Sequence, residues 1–181
     1  MNENPLAVKN IILTGFMGTG KTAVGEVLAR RLKRRFIDTD AAVETLAGLP
    51  VPLLFERFGE TYFRDRESEV IAGLARYPAG SLIVATGGGA VLRETNRLCL
   101  QRCGVIVLLT ASVRAIVRRT AGAGGRPLLY GAKPGERVRN LLETREPYYR
   151  QCDLLVDTTG KTPSRVAAEI IKKLRKPRDL P

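Results

Sequence analysis

Residues 15–22 read GFMGTGKT, a Gly-x-x-x-x-Gly-Lys-Thr spacing with the apolar run IILT before it and an amphipathic stretch after it. Strand, glycine-rich turn and helix in that order form the context in which such a loop binds phosphate. Glycines let the backbone bend so that several N–H groups converge on phosphate oxygens at the positive end of a helix. Lys21 then reaches the β- and γ-phosphates of a nucleoside triphosphate, and the Thr22 hydroxyl is a ligand for Mg²⁺.

Shortly after the basic run RRLKRR comes FIDTD, residues 36–40. At an extended strand end, residues i and i+2 face one side, so Asp38 and Asp40 are expected to project together where open α/β sheets bind ligands. An acid there either holds Mg²⁺ through water or accepts a proton from a substrate hydroxyl. Alternatively, Asp40 caps the helix that follows.

Two further charges fall inside apolar helical stripes. Between residues 60 and 76, Phe63, Val70, Ile71 and Leu74 form a stripe with Glu67 at its centre and Arg64 three residues earlier. A carboxylate among core residues needs a partner, and an i,i+3 Arg supplies one while still facing an anionic ligand. Arg145 stands in the same way among Val138, Leu141, Leu142 and Tyr149. Two half-buried Arg side chains suit a carboxylate, which the planar guanidinium grips at two points. Solvated or snorkelling charges are the alternative in both helices. Gly87, Gly88 and Gly89 follow the apolar run SLIVAT, where backbone can approach a ligand closely or simply turn. Arg126 heads RPLL within the glycine-rich segment TAGAGGRPLLYGAKPG, where it is placed to meet charge developing on the γ-phosphate as a lid closes.

The elements that must hold these residues alternate short β-rich runs with longer amphipathic ones, the pattern of βα units and a parallel sheet. Strands are expected at 10–14, 35–38, 81–86, 105–109 and 154–157. Helices are expected at 21–33, 41–46, 52–58, 60–76, 93–102, 112–120, 135–150 and 163–174. At 181 residues the chain suits one compact domain.

Lys and Arg outnumber Asp and Glu by 30 to 18, which favours anionic partners. No run of stacking aromatics accompanies the basic residues, which argues against nucleic acid. With no His in the chain, imidazole catalysis and Cys/His zinc sites are excluded, and Cys99, Cys103 and Cys152 read as packed, reduced thiols. No apolar run reaches the ~20 residues of a membrane span, and the first residues lack the features of a signal or transit peptide. A cytoplasmic enzyme is the expectation.

Taken in order, GFMGTGKT, FIDTD, FRDRE, GGGAV, RPLL and REPYYR resemble the shikimate kinase family over nearly the whole chain. The resemblance implies a three-layer α/β P-loop NTPase fold of the nucleoside-monophosphate-kinase type. Its five-stranded parallel sheet would run in the order 2-3-1-4-5, with a substrate-binding region near 38–76 and a mobile lid near 119–134. It implies transfer of the ATP γ-phosphate to the 3-hydroxyl of shikimate, a step toward chorismate and the aromatic amino acids, with Mg²⁺ as cofactor and a monomeric enzyme. Carried onto this chain, Gly18, Thr19, Gly20, Lys21, Thr22 and Ala23 would cradle ATP, with Thr22 and Asp38 serving the metal. Asp40 would bind the acceptor hydroxyls and act as base. Arg64 and Arg145 would clamp the carboxylate, Glu67 would orient Arg64, and the glycines at 87–89 would offer backbone. Phe55 and Phe63 would wall the ring, Arg126 would meet the phosphates, and Arg119 and Pro163 would flank adenine. A gluconate kinase on the same fold and a nucleotide-switched nucleic-acid-binding protein are the alternatives.

Overall fold

The computed structural model describes residues 9–121 and 133–175. Five strands form one parallel sheet: β1 Asn10–Thr14, β2 Arg35–Asp38, β3 Leu82–Ala85, β4 Gly104–Thr110 and β5 Leu154–Asp157. Their spatial order is β2-β3-β1-β4-β5, as the resemblance implied. Seven α-helices accompany them among the described residues. These are α1 Lys21–Leu32, α2 Thr39–Ala47, α3 Val51–Gly73, α4 Glu94–Cys103, α5 Val113–Thr120, α6 Pro134–Tyr149 and α7 Pro163–Arg175.

Side chains alternate across the sheet and so build two cores. Ile11, Leu13, Ile83, Val107 and Val156 pack on Val24 and Leu28 of α1 and on Val166 and Ile170 of α7. Ile12, Val84 and Ile106 face the other way, onto Ile71 of α3 and Leu100 of α4. Strands covered on both faces read as continuous apolar runs, which is why NIILT and LIVA lack a polar alternation. Asn10 ties the amino ends together: its side chain donates to the Cys103 carbonyl at 3.0 Å and accepts the Leu82 N–H at 2.9 Å.

Most boundaries fall within a residue of the sequence expectation, and two regions depart further. The helices expected at 52–58 and 60–76 form one run, α3, broken at Gly59, whose φ of 79° no ordinary helical residue adopts. Its far end gives way at Leu74–Arg76 to a 3₁₀ turn. Asp40 does not continue strand β2. The Asp38 carboxylate accepts the Asp40 N–H at 3.0 Å and thereby caps α2, so the chain turns helical one residue before strand alternation would have placed Asp40.

The chain leaves β1 for β2 on one side and passes from β3 to β4 on the other. The crevice above the carboxyl ends of β1 and β3 is therefore a switch point, the usual ligand position in such sheets. The loops after β1, β2 and β3 all end there.

Candidate active site

The loop after β1 bends through positive φ at Gly15, Gly18 and Gly20, and Gly20 starts α1. A Cβ at Gly15 would lie 2.2 Å from the Leu109 carbonyl oxygen, so the β1–β4 contact requires the glycine as much as the dihedral does. Lys21 is buried against its own loop and donates to the carbonyls of Gly15 at 2.7 Å and Phe16 at 3.0 Å. Thr19 closes the turn by donating to Phe16 at 2.8 Å. Thr22, exposed one residue beyond Lys21, donates its hydroxyl to Asp38 Oδ2 at 2.8 Å. One Asp38 oxygen thus caps α2 while the other meets the hydroxyl on α1.

The three glycines after β3 sit on the opposite wall of the crevice. Gly87 donates its N–H to the fully buried Thr39 hydroxyl at 2.9 Å. A Cβ there would stand 2.5 Å from both Asp40 Oδ1 and Glu67 Oε1, so the two carboxyl groups converge on this glycine. A Cβ at Gly88 would approach the Met17 N–H to 3.3 Å, which brings the two glycine loops into contact. At Gly89 it would meet the Arg64 guanidinium at 2.4–2.7 Å.

Glu67 is 0% exposed, as its place in the middle of the apolar stripe implies, and Arg64 donates to its Oε2 at 2.7 Å. Burial holds the Glu67 carboxyl above its ordinary value; the Arg64 charge and hydrogen bond offset part of this, and the Asp40 charge adds to it. For Arg64, burial alone favours the neutral form, but Glu67 and Glu60 outweigh it and push the guanidinium pKa up. Glu60, just past the Gly59 break, accepts from the Nε and Nη2 edge of Arg64 at 3.2 and 3.1 Å. Arg64 also lies over the Phe63 ring, 5.1 Å from its centroid. Phe63 itself belongs to the α2/α3 core with Val43 and Leu54, so Phe55, half-buried at 4.8 Å ring separation, carries the more open face of that wall.

From the other side α6 brings Arg145, 9% exposed, over the Phe16 ring. Tyr149 follows one turn later and donates its buried hydroxyl to the Gly88 carbonyl. At the third corner, Arg119 donates to the Gly18 carbonyl at 3.1 Å and to the Thr158 hydroxyl and carbonyl at 3.0 and 2.8 Å, which pins the phosphate loop to the end of β5. Pro163 opens α7 beyond that turn and is exposed. The structure thus brings the phosphate loop, Asp38, Asp40, Arg64 and the glycines together at this crevice, with Arg145 over Phe16 of the same loop. Arg126 and most of the expected lid lie outside the described residues.

Thr39, Tyr149 and Thr158 escaped sequence reading. Tyr149 had a usable signal, because a buried phenol needs a hydrogen-bond partner. Thr39 and Thr158 gave none, since a buried Thr owes its importance to strands and loops distant in sequence.

The donors suit anions and a hard cation. Thr22 and Asp38 offer only oxygen, which matches an ion that keeps most of its water and binds through one carboxylate and phosphates. Among the described residues no group of three or more Cys, Asp or Glu forms a protein-only metal cage.

A family model described as shikimate kinase matches residues 17–175. A shikimate kinase from Caldanaerobacter subterraneus subsp. tengcongensis is 46% identical over 165 residues, covering 91% of this chain and 95% of the relative. The solved structure of a shikimate kinase from Acinetobacter baumannii in complex with shikimate superposes with a TM-score of 0.87 at 37% identity, covering 92% of this chain and 93% of that one. A gluconokinase from Sinorhizobium meliloti shares the fold alone, with a TM-score of 0.60 at 20% identity over 93% of this chain and 92% of its own. Sequence and fold together place the chain in the shikimate kinase family.

Proposed function

We infer that this chain phosphorylates the 3-hydroxyl of shikimate with ATP, giving shikimate 3-phosphate and ADP on the route to the aromatic amino acids. The observation that carries the inference is the convergence of Asp40, Glu67 and Arg64 on the glycines beside the phosphate loop. An uncharged hydroxyl and an anionic carboxylate on one small acceptor require such opposite groups side by side.

ATP lies along residues 18–23, where backbone N–H groups and Lys21 take the phosphates. Arg119 and the turn before Pro163 border the base. Arg64 and Arg145 hold the acceptor carboxylate from two helices. Glu67 fixes the Arg64 fork, and the Phe55 side packs on the ring. Asp40 accepts a hydrogen bond from the hydroxyl and takes its proton as the oxygen–phosphorus bond forms and the bond to the ADP leaving oxygen breaks. The transition state is loose, so orienting the hydroxyl contributes more than basicity. Thr22 and Asp38 would hold Mg²⁺, which when bound neutralises charge on the β- and γ-phosphates. Arg126, outside the described residues, is the proposed partner for charge on the γ-phosphate.

The test is ADP release with Mg²⁺-ATP against shikimate, gluconate and no acceptor. Turnover with shikimate alone is expected; turnover with gluconate but not shikimate would overturn the assignment. Asp40→Asn is expected to abolish transfer while a non-hydrolysable ATP analogue still binds, and retained turnover removes Asp40 from the chemistry.

A further inference from the structure

We propose that Tyr149 is a positioning residue for the acceptor site, locking the glycine loop and the Arg145 guanidinium to one another through its phenol. Its hydroxyl donates to the Gly88 carbonyl, joining α6 to the loop after β3. The peptide between Gly88 and Gly89 is planar and trans, so drawing the carbonyl toward Tyr149 turns the Gly89 N–H to the opposite side. Glycine has little resistance of its own to flipping that plane, which leaves the orientation to an external partner. The Arg64 guanidinium packs directly on Gly89, so the locked peptide lies between Tyr149 and the first carboxylate-binding Arg.

The same phenol faces the second one. Arg145 lies one helical turn earlier, over the Phe16 ring on which Tyr149 also packs, and its charge favours the ionised phenol; burial outweighs it and keeps the phenol protonated, its pKa above the ordinary value. A protonated hydroxyl has one hydrogen to give and lone pairs to receive with, so it can serve the carbonyl and the guanidinium together. The ring is 5% exposed and packs with Phe16, Val91, Ile116 and Val138, which leaves it no freedom to follow a moving partner.

The proposal rests on Arg145 and the glycine loop forming the acceptor site. Tyr149→Phe removes the hydroxyl and keeps the ring, so thermal unfolding monitors the fold while calorimetry gives dissociation constants for shikimate and for a non-hydrolysable ATP analogue. Shikimate binding is expected to weaken about three- to tenfold, the effect of one lost hydrogen bond, with the nucleotide constant moving by less than about twofold. Equal weakening of both ligands, or unchanged shikimate binding, overturns the proposal. Arg145→Ala and the double variant complete a cycle, in which coupling between the two losses supports the lock and strict additivity refutes it. If Arg145→Ala leaves shikimate binding intact, the acceptor-site assignment itself fails. If Arg145→Ala weakens it and Tyr149→Phe does not, only the Tyr149 role fails.

Discussion

Gly89→Ala isolates the grip on Arg64 from every other property of the site. Gly89 has φ −104° and ψ −2°, a conformation open to any residue, so alanine adds no backbone strain. Through the unfolded chain the change even stabilises by about 0.4–1 kcal/mol. The new methyl carbon would fall 2.4 Å from Arg64 Nη2 and 2.7 Å from Cζ and Nη1. What it meets is the end of a side chain, so the fold persists and the guanidinium must retreat. That guanidinium is held at 2.7 Å by the fully buried Glu67 and at 3.1 Å by the exposed Glu60. Retreat from Glu60 costs little, because exposed pairs contribute about 1 kcal/mol or less. Retreat from Glu67 gives up a hydrogen bond between charged groups, about 1.5–3 kcal/mol. Restoring the fork to the position that meets shikimate would then cost binding about that energy, which at about 1.4 kcal/mol per decade is roughly a 10- to 100-fold rise in the shikimate KM. Coupled ADP release at saturating Mg²⁺-ATP measures KM, and thermal unfolding confirms an intact fold. A folded variant whose shikimate KM stays within about twofold of the parent refutes both the Arg64 geometry and its role.

Asp38→Asn and Asp38→Ala separate the two duties of one carboxylate. Asn still caps α2, so only Ala should lower thermal stability, by about 1 kcal/mol, whereas both should raise the Mg²⁺ concentration needed for half-maximal turnover; equal destabilisation by the two changes contradicts the cap. Glu67→Gln tests the buried acid by pH. Because the folded-state pKa is raised by burial, the stability contributed by protonated Glu67 is complete below its unfolded value near 4.5 and is lost as pH rises through the folded value. Urea unfolding from pH 4 to 8 should show the parent losing ground to the variant as pH rises, and a growing advantage for the parent contradicts the assignment.

Much of the site was legible because its parts are local patterns. The phosphate loop is a contiguous string, and Glu67 betrays itself by falling in the middle of an apolar stripe of its own helix. The same periodicity exposed Arg145, which is more deeply buried than the half-buried side chain expected. Strand limits were read within a residue or so because buried parallel strands are bounded by charge or glycine. The misreading at Asp40 came from a competition that strand alternation ignores: the Asp38 side chain can satisfy a helical N–H, and the chain turns into α2 as soon as it does.

The sequence alone determined which groups are at hand: a glycine loop suited to phosphate, oxygen donors suited to a cation, arginines suited to a carboxylate, and no imidazole. Tertiary structure alone decided which groups meet. Asp40, Glu67 and Gly87 are separated along the chain yet share one point in space, because β2 and β3 pair and α3 packs on β3 through Ile71. Tyr149 reaches Gly88 across 61 residues. Such meetings follow from sheet order and helix packing, which sum many weak contacts over the whole chain, so no short stretch of residues encodes them.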